Sequence, residues 1–297
     1  MADTPAKLPS EIKWATRQRL QFIEIMAFYT GVISRSTLAR AFGISDPAAT
    51  KDLKLYNEYA PDNLNYNPAL FGFEPSDRFN PVFSDLDPAQ ILPMIAENLI
   101  STDNPSGDAS VYGISVDKLP LPARLPPREV LAPILRAIRG KQQLGMVYHS
   151  LSGRDSEQQR IIEPHALINN GLRWHVRAYS HDTFDFRDFV LSRISEAQLL
   201  DTSAEYDAHY DDDWMEMVRI RLQPHPGLND KQRRALQYDY QMQNDEIELT
   251  VRRALVGYVL HRLAVDTTAD YSLNPNAYQL VVVNRDEIEP FAGWAFL

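Results

Sequence analysis

In residues 13–29, KWATRQRLQFIEIMAFY, Trp14, Leu20, Ile23 and Phe28 recur near a helical period, while Arg17, Arg19 and Glu24 fall largely outside that stripe. The pattern predicts an amphipathic helix that stops at Gly31. Ser34 or Ser36 is placed to cap a second, short helix running to about Phe42. Gly43-Ile44-Ser45 then reads as a turn. A third helix is expected from Asp46, with Pro47 in its first turn, to about Tyr59, ahead of Pro61. Helix, glycine-containing turn, helix is a helix-turn-helix arrangement.

Residues 60–84 are rich in Pro and Asn with interspersed aromatics and read as short strands and loops, compatible with a wing. Asp87–Leu99 reads as a helix that Pro93 can kink, residues 101–108 as a loop, and Leu119–Pro127 as a stiff proline-rich connector. Val130, Leu131, Ile134, Leu135 and Ile138 mark one face of a further helix over Arg128–Arg139, ended by Gly140. Short strands are expected near 143–151, 160–168, 172–179 and 186–194, a spacing that suggests a small barrel. Residues 205–216 are acidic and aromatic. Residues 219–222, strands at 246–251 and 278–283 and helices near 229–240 and 253–263 make a third unit of α+β type. The expected organisation is therefore α+β and multidomain: a winged helix-turn-helix over 1–84, a linker over 85–127, a small β-domain over 128–200 and a C-terminal extension over 201–297.

Charge changes this picture in one place. The chain of 297 residues has a formal charge of −10, yet residues 128–200 hold ten Lys/Arg against eight Asp/Glu, and four of the seven histidines. Residues 201–297 hold nine against seventeen. An acidic total argues against indiscriminate polyanion binding but can hide a local basic surface. There is no cysteine, which excludes disulfides, thiolate catalysis and cysteine-ligated zinc. The N-terminal MADTPAKLPSEIKW lacks an apolar signal-peptide core, and no apolar run approaches a membrane span, so a cytoplasmic protein without membrane partners is expected.

Two sets of residues carry candidate chemistry. In LARAFGISDPAATKDLKLY, residues 38–56, Leu38, Phe42, Ile44 and Leu53 suit a shared core and Ala39 a close helix crossing. That leaves Ser45, Ala48, Ala49, Thr50, Lys51 and Lys54, with Arg35 on the preceding helix, for a DNA groove and backbone. The bland alternative is a helical hairpin with a solvated face. In GLRWHVRAYSHDTFDFRDFVLSRI, residues 171–194, His175 and Arg177 share one face of the first strand, while Arg187, Phe189 and Arg193 share a parity in the second. Tyr148, Ser150 and Ser152 do likewise upstream. Guanidinium forks, hydroxyls and an aromatic suit a phosphate-bearing ligand with a base to stack. The alternative is a solvated sheet face paired with Glu163, Asp182, Asp185 and Asp188.

No Walker loop, GxGxxG, HExxH or Ser/His/Asp arrangement is present, so an enzyme is not expected, nor a cofactor or metal. The Asp211-Asp212-Asp213 run reads as an exposed acidic loop rather than a cation site. His149 and His165 lack a carboxylate partner for a metal pair. His261 reads as a packed or boundary histidine.

Residues 160–194 resemble the WYL domain of bacterial transcription regulators: Pro164, then Trp174 leading a strand, then Arg187-Asp188-Phe189-Val190-Leu191-Ser192-Arg193-Ile194. The name-giving triplet is Trp174-His175-Val176 here. The chain is similar over nearly its whole length to regulators found beside phage-defence systems of BREX and CBASS type. The resemblance implies a homodimeric repressor of a defence operon on inverted-repeat operator DNA, an Sm-like barrel, and an effector pocket lined by Tyr148, Ser150, Ser152, His165, Arg177, Arg187, Phe189 and Arg193. With the basic hairpin, it implies an anionic effector, a nucleotide or oligonucleotide. The C-terminal extension is then expected to face away from DNA and to serve dimer contacts. Two readings stay open beside the repressor: an activator of the same fold triggered by single-stranded DNA, and an Sm-like RNA-binding module.

Overall fold

The computed structural model describes residues 12–97, 112–117, 119–151 and 159–296. The loop expected at 101–108, Leu99 at the end of its helix, and Ser152 lie outside them. The chain forms two compact units that divide between Pro120 and Leu121.

In the first unit, α1 (Trp14–Thr30) stops where Gly31 takes φ 78°, a conformation that favours glycine. Ser34 caps α2 (Arg35–Phe42) by accepting from Thr37 N at 3.0 Å. Gly43 at φ 60° turns the chain into α3 (Asp46–Tyr59), capped by Ser45. Strands β1 (Leu64–Asn67) and β2 (Gly72–Pro75) form an antiparallel hairpin, and α4 (Pro88–Glu97) follows. Leu20, Ile23, Leu38, Ala49 and Tyr56 are all fully buried between the helices.

The α1 stripe differs from its sequence reading at three positions. Trp14 is 75% and Phe28 51% exposed, whereas Glu24 is fully buried. The Glu24 carboxylate accepts hydrogen bonds from Val82 N at 2.6 Å, Phe83 N at 2.8 Å, Ser84 N at 2.8 Å and Tyr56 Oη at 3.1 Å. These donors meet the need of a buried carboxylate for partners, although burial still drives its pKa above the ordinary value.

The second unit begins with an extended stretch and then α5 (Arg128–Gly140), whose Val130, Ile134 and Ala137 are buried against the sheet that follows. That sheet comprises β3 (Gln142–Tyr148), β4 (Gln159–Asn169), β5 (Trp174–Ser180), β6 (Asp185–Val190) and β7 (Ile194–Ser203), in the order β6-β5-β4-β3-β7. All its pairings are antiparallel. Strands β6 and β7 are its two edges, and among the described residues no ladder joins them. The expected barrel is thus an open, five-stranded sheet; a short 3-10 turn at Leu191–Arg193 breaks the last expected strand, and β7 was not anticipated.

The remainder contains α6 (Asp212–Met215), β8 (Met217–Pro224), α7 (Asp230–Asp239), β9 (Ile247–Arg252), α8 (Val256–Arg262), β10 (Val265–Asp266), β11 (Leu280–Val282) and α9 (Arg285–Ala292). Its four-stranded sheet has the order β10-β11-β8-β9. An Asn229–Gln232 capping box starts α7. Among the described residues no helix is long and apolar enough to cross a membrane, and no cluster of three or more His, Asp or Glu is arranged to hold a metal.

Candidate functional site

The exposed face of α3 is fixed from behind. Asp52, 5% exposed, receives Arg19 of α1 through two contacts, Nε to Oδ2 at 2.6 Å and Nη2 to Oδ1 at 3.3 Å. This two-pronged pair sets the rotation of α3 about its axis. Lys51 and Lys54 consequently point to solvent. Thr50 donates its hydroxyl proton to the Asp46 carbonyl at 2.9 Å, which leaves its methyl group as the outward feature. Ser45 is exposed while its hydroxyl caps the helix by accepting from Ala48 N at 3.4 Å. Arg35 lies 3.4 Å from Asp46, with both side chains more than half exposed. Ala49 is completely buried and belongs to the core, not to the groove-facing set.

Between α3, the start of α2 and the β1–β2 wing runs an open groove of about 840 Å³, bordered by Arg35, Thr50, Lys54, Tyr66 and Phe71. The wing is held rigidly. Ile33 and Phe73 exchange two backbone hydrogen bonds of 2.9 and 2.8 Å. At Gly72 an added Cβ would stand 2.8 Å from Val32 Cγ2 and 3.1 Å from the Ile33 carbonyl oxygen, so the hairpin base tolerates no side chain.

The second set of candidate residues is divided by the sheet. Arg177 on β5 pairs with Asp188 on β6, and Ala178 with Arg187, so Arg177 and Arg187 project from opposite faces. Arg177 is 5% exposed. Its Nε and Nη2 reach Asp211 Oδ2 and Oδ1 at 2.6 and 2.8 Å, and its Nη1 reaches Asp188 at 3.1 Å. Burial works against its charge, but the two carboxylates prevail and hold its pKa above the ordinary value. His165 Nε2 lies 3.0 Å from the same Asp211 carboxylate. Burial alone would raise Asp211; His165 and Arg177 overcome it and hold it down to about 2. The acidic run at 211–213 is therefore no solvated loop at Asp211, which is 1% exposed and neutralises Arg177.

Other expected pocket residues are also committed. Phe189, 4% exposed, packs edge-on against Tyr148 at 5.2 Å within the core beneath α5. Tyr148 Oη accepts from Val190 N at 3.3 Å. Arg187 donates to Thr183 Oγ1 at 2.9 Å near the hairpin turn. Ser150 is half-buried, His149 is exposed, and His261 is exposed with its ring 4.9 Å from that of Trp294.

Arg193 is different. It gathers with Arg173 and Arg124 around His175, and among the described residues none of the three arginines has a carboxylate partner. Arg173 Nε donates to His175 Nε2 at 3.2 Å. Burial, reinforced by the charges of Arg124 and Arg193, lowers the Arg173 pKa. Burial and then the Arg173 charge push His175 down to about 4, so it is neutral near pH 7. Tyr258 of α8 closes one side, its ring 5.0 Å from that of His175 and its hydroxyl 2.9 Å from Asp188 Oδ2. Three guanidinium groups without a carboxylate partner among the described residues, beside a neutral histidine and a tyrosine, form a site suited to a multivalent anion. Sequence reasoning placed Arg193 in the pocket; it noted Arg173 on the same hairpin without giving it a role, and missed Arg124 and Tyr258. Arg124 lies in the proline-rich stretch and Tyr258 far downstream, so no local pattern joins them.

Comparison with known proteins accounts for most of the chain. Residues 15–97 match the BrxR transcriptional regulator winged helix-turn-helix domain, residues 129–199 the WYL domain, and residues 217–288 the BrxR transcriptional regulator C-terminal dimerization domain. The chain is 35% identical over 276 residues to the DNA-binding transcriptional repressor CapW of Escherichia coli (strain KTE188), covering 93% of this chain and 91% of that one. It is 34% identical over 278 residues to the CapW repressor of Pseudomonas aeruginosa, covering 93% and 92%. The corresponding protein of Stenotrophomonas maltophilia is 32% identical over 280 residues, covering 94% and 93%.

Proposed function

Because the chain belongs to the family of winged-helix, WYL-domain transcription regulators that includes the CapW repressors, we propose that it represses a phage-defence operon of BREX or CBASS type as a homodimer on an inverted-repeat operator. An anionic effector, a nucleotide or short oligonucleotide, sets its affinity for that operator. The observation that carries this reading is the exposed face of α3, where Lys51 and Lys54 point to solvent beside the Thr50 methyl on a helix whose other side is locked by the Arg19–Asp52 pair. Such a helix offers phosphate-pairing cations and a methyl group small enough for close approach to base edges.

The effector belongs at Arg124, Arg173 and Arg193, a cationic cluster with no carboxylate partner among the described residues. A ligand favouring the dimer that does not hold operator shifts the population away from DNA, and coupling of this kind is typically about 1–3 kcal/mol. A few charge-assisted hydrogen bonds of roughly 1.5–3 kcal/mol each can supply that difference. Arg177 holds the fold behind this site instead of contacting the ligand.

The test is selection of duplexes from a random-sequence pool with the full-length chain, followed by footprinting. The expected product is an inverted repeat with half-site centres about 34–36 Å apart, or a multiple of that, occupied by one dimer. Recovery of no consensus, or of single-stranded RNA in preference to duplex DNA, would overturn the proposal. Deleting the gene and measuring the adjoining operon distinguishes repression, which predicts a rise, from activation.

A further inference from the structure

The wing that flanks α3 is unusual in its chemistry. From residue 55 to residue 77 there is no Lys or Arg, so the hairpin offers nothing to pair with phosphate. Its tip is instead apolar. Phe71 is 81% exposed and Leu70 50%, preceded by Pro68 and Ala69.

Phe71 also adopts φ 49°, in the left-handed region that bulky side chains seldom occupy. The tip is tightly built. Asn67 Oδ1 accepts from Ala69 N at 2.9 Å, and the Asn67 and Pro68 carbonyls accept from Leu70 N and Phe71 N at 3.3 and 3.4 Å. A strained backbone thus presents a bare aromatic ring to solvent, at the end of a hairpin whose base is fixed to the helix-turn-helix through Ile33 and Phe73.

We propose that Phe71, supported by Leu70, enters the minor groove beside the major groove that α3 occupies and wedges between two base pairs, kinking the duplex. The occupant follows from continuity. Phe71 borders the same groove as Arg35, Thr50 and Lys54, so DNA seated on α3 passes the wing tip. The wing has no cation with which to track the backbone, whereas an exposed ring on a rigid mount suits insertion at a base step. Apolar wedges of this type partly unstack the step and bend the duplex by roughly 20–90°. Steps that unstack easily, pyrimidine–purine above all, would then be preferred at that position without any base-edge contact. The inference rests on the reading of α3 as the DNA-recognition helix.

The experiment uses the full-length chain and a duplex selected by it from a random pool. Bending is read by circular permutation and unstacking by 2-aminopurine fluorescence at the step facing the wing. The wild type should bend the duplex and raise the fluorescence. Phe71→Ala should weaken binding about tenfold, abolish both signals and leave the slope of log affinity against log salt unchanged. Phe71→Lys should recover affinity and steepen the salt slope by about 0.9, yet leave the DNA straight. Phe71→Gly should weaken binding while melting no lower than the wild type, because it relieves the left-handed strain. A straight duplex with the wild type, or a bend that survives Phe71→Ala, overturns the wedge even if α3 binds as proposed. If Lys51 and Lys54 also prove dispensable, the reading of α3 has failed and the wedge with it. Loss of dimerisation in Phe71→Ala with the bend intact would assign the tip to a second protein copy instead.

Discussion

Arg177 and Arg187 sit on neighbouring strands of one hairpin yet project from opposite faces of its sheet, because Arg177 faces Asp188 across the ladder and Arg187 faces Ala178. One arginine is buried in a cage of carboxylates and the other is exposed at the turn. The two guanidinium groups therefore do not converge on one face of the sheet.

The caged arginine is a structural residue. Asp211→Asn removes one charge of a buried pair and should destabilise the second unit by about 3 kcal/mol, the low end for such a break because Asp188 remains. Arg187→Ala should change stability by no more than about 0.5 kcal/mol. Chemical denaturation of the two variants checks both values, and equal stabilities would remove the cage from the account.

Arg193→Ala and Arg173→Ala should fold normally and keep operator affinity, since α3 is untouched. Calorimetry with nucleoside triphosphates and with short single-stranded oligonucleotides should show anion binding weakened about tenfold or more in each. Arg193→Lys should recover only part of the loss, as a point charge lacks the planar fork. Reporter expression in these variants should stay at one level when the inducing signal is given. Full response in both would move the effector elsewhere.

On α3, Lys51→Ala and Lys54→Ala should each lower the log–log salt slope of duplex binding by about 0.9, the effect of one lost phosphate contact. Titrations from low to moderate salt provide the measurement, and unaltered slopes in both variants would exclude this helix from the interface.

His175 gives the fold a pH dependence of defined sign. Its folded pKa, about 4, lies below the value of 6.5 it takes when unperturbed. Between those values the unfolded chain holds more protons, so stability falls as pH drops from about 6.5 to 4 and is unaffected by this group above that window. The shift corresponds to roughly 3 kcal/mol across the window. His175→Gln keeps an acceptor for Arg173 and should flatten that part of the curve relative to the wild type; parallel curves for the two proteins would contradict the assignment.

The elements built from short-range signals were legible in the chain. The helix-turn-helix follows from a cap, a glycine and a helical period, and all of these lie within a few residues of what they control. Which faces two strands share depends on the turn between them, so the parities of Arg177 and Arg187 were readable separately but not together. Strand β7, ISEAQLLDTS, carries residues that favour helix as readily as strand, and only its pairing with β3 decides the matter. Asp211 is 34 residues from Arg177, and Ser84 is 60 from Glu24. Such partners are chosen by tertiary folding, where no periodicity points.

The Glu24 carboxylate has a consequence for where this polypeptide can be cut. Three of its four donors are the successive amides of Val82, Phe83 and Ser84, beyond the wing and past every residue proposed to face DNA. A fragment ending at the wing would keep the recognition helix whole but leave an acid in the interior with only Tyr56 to answer it. The smallest portion able to stand alone as the proposed DNA reader therefore runs past Ser84, and autonomy of that head is decided by amides committed to Glu24.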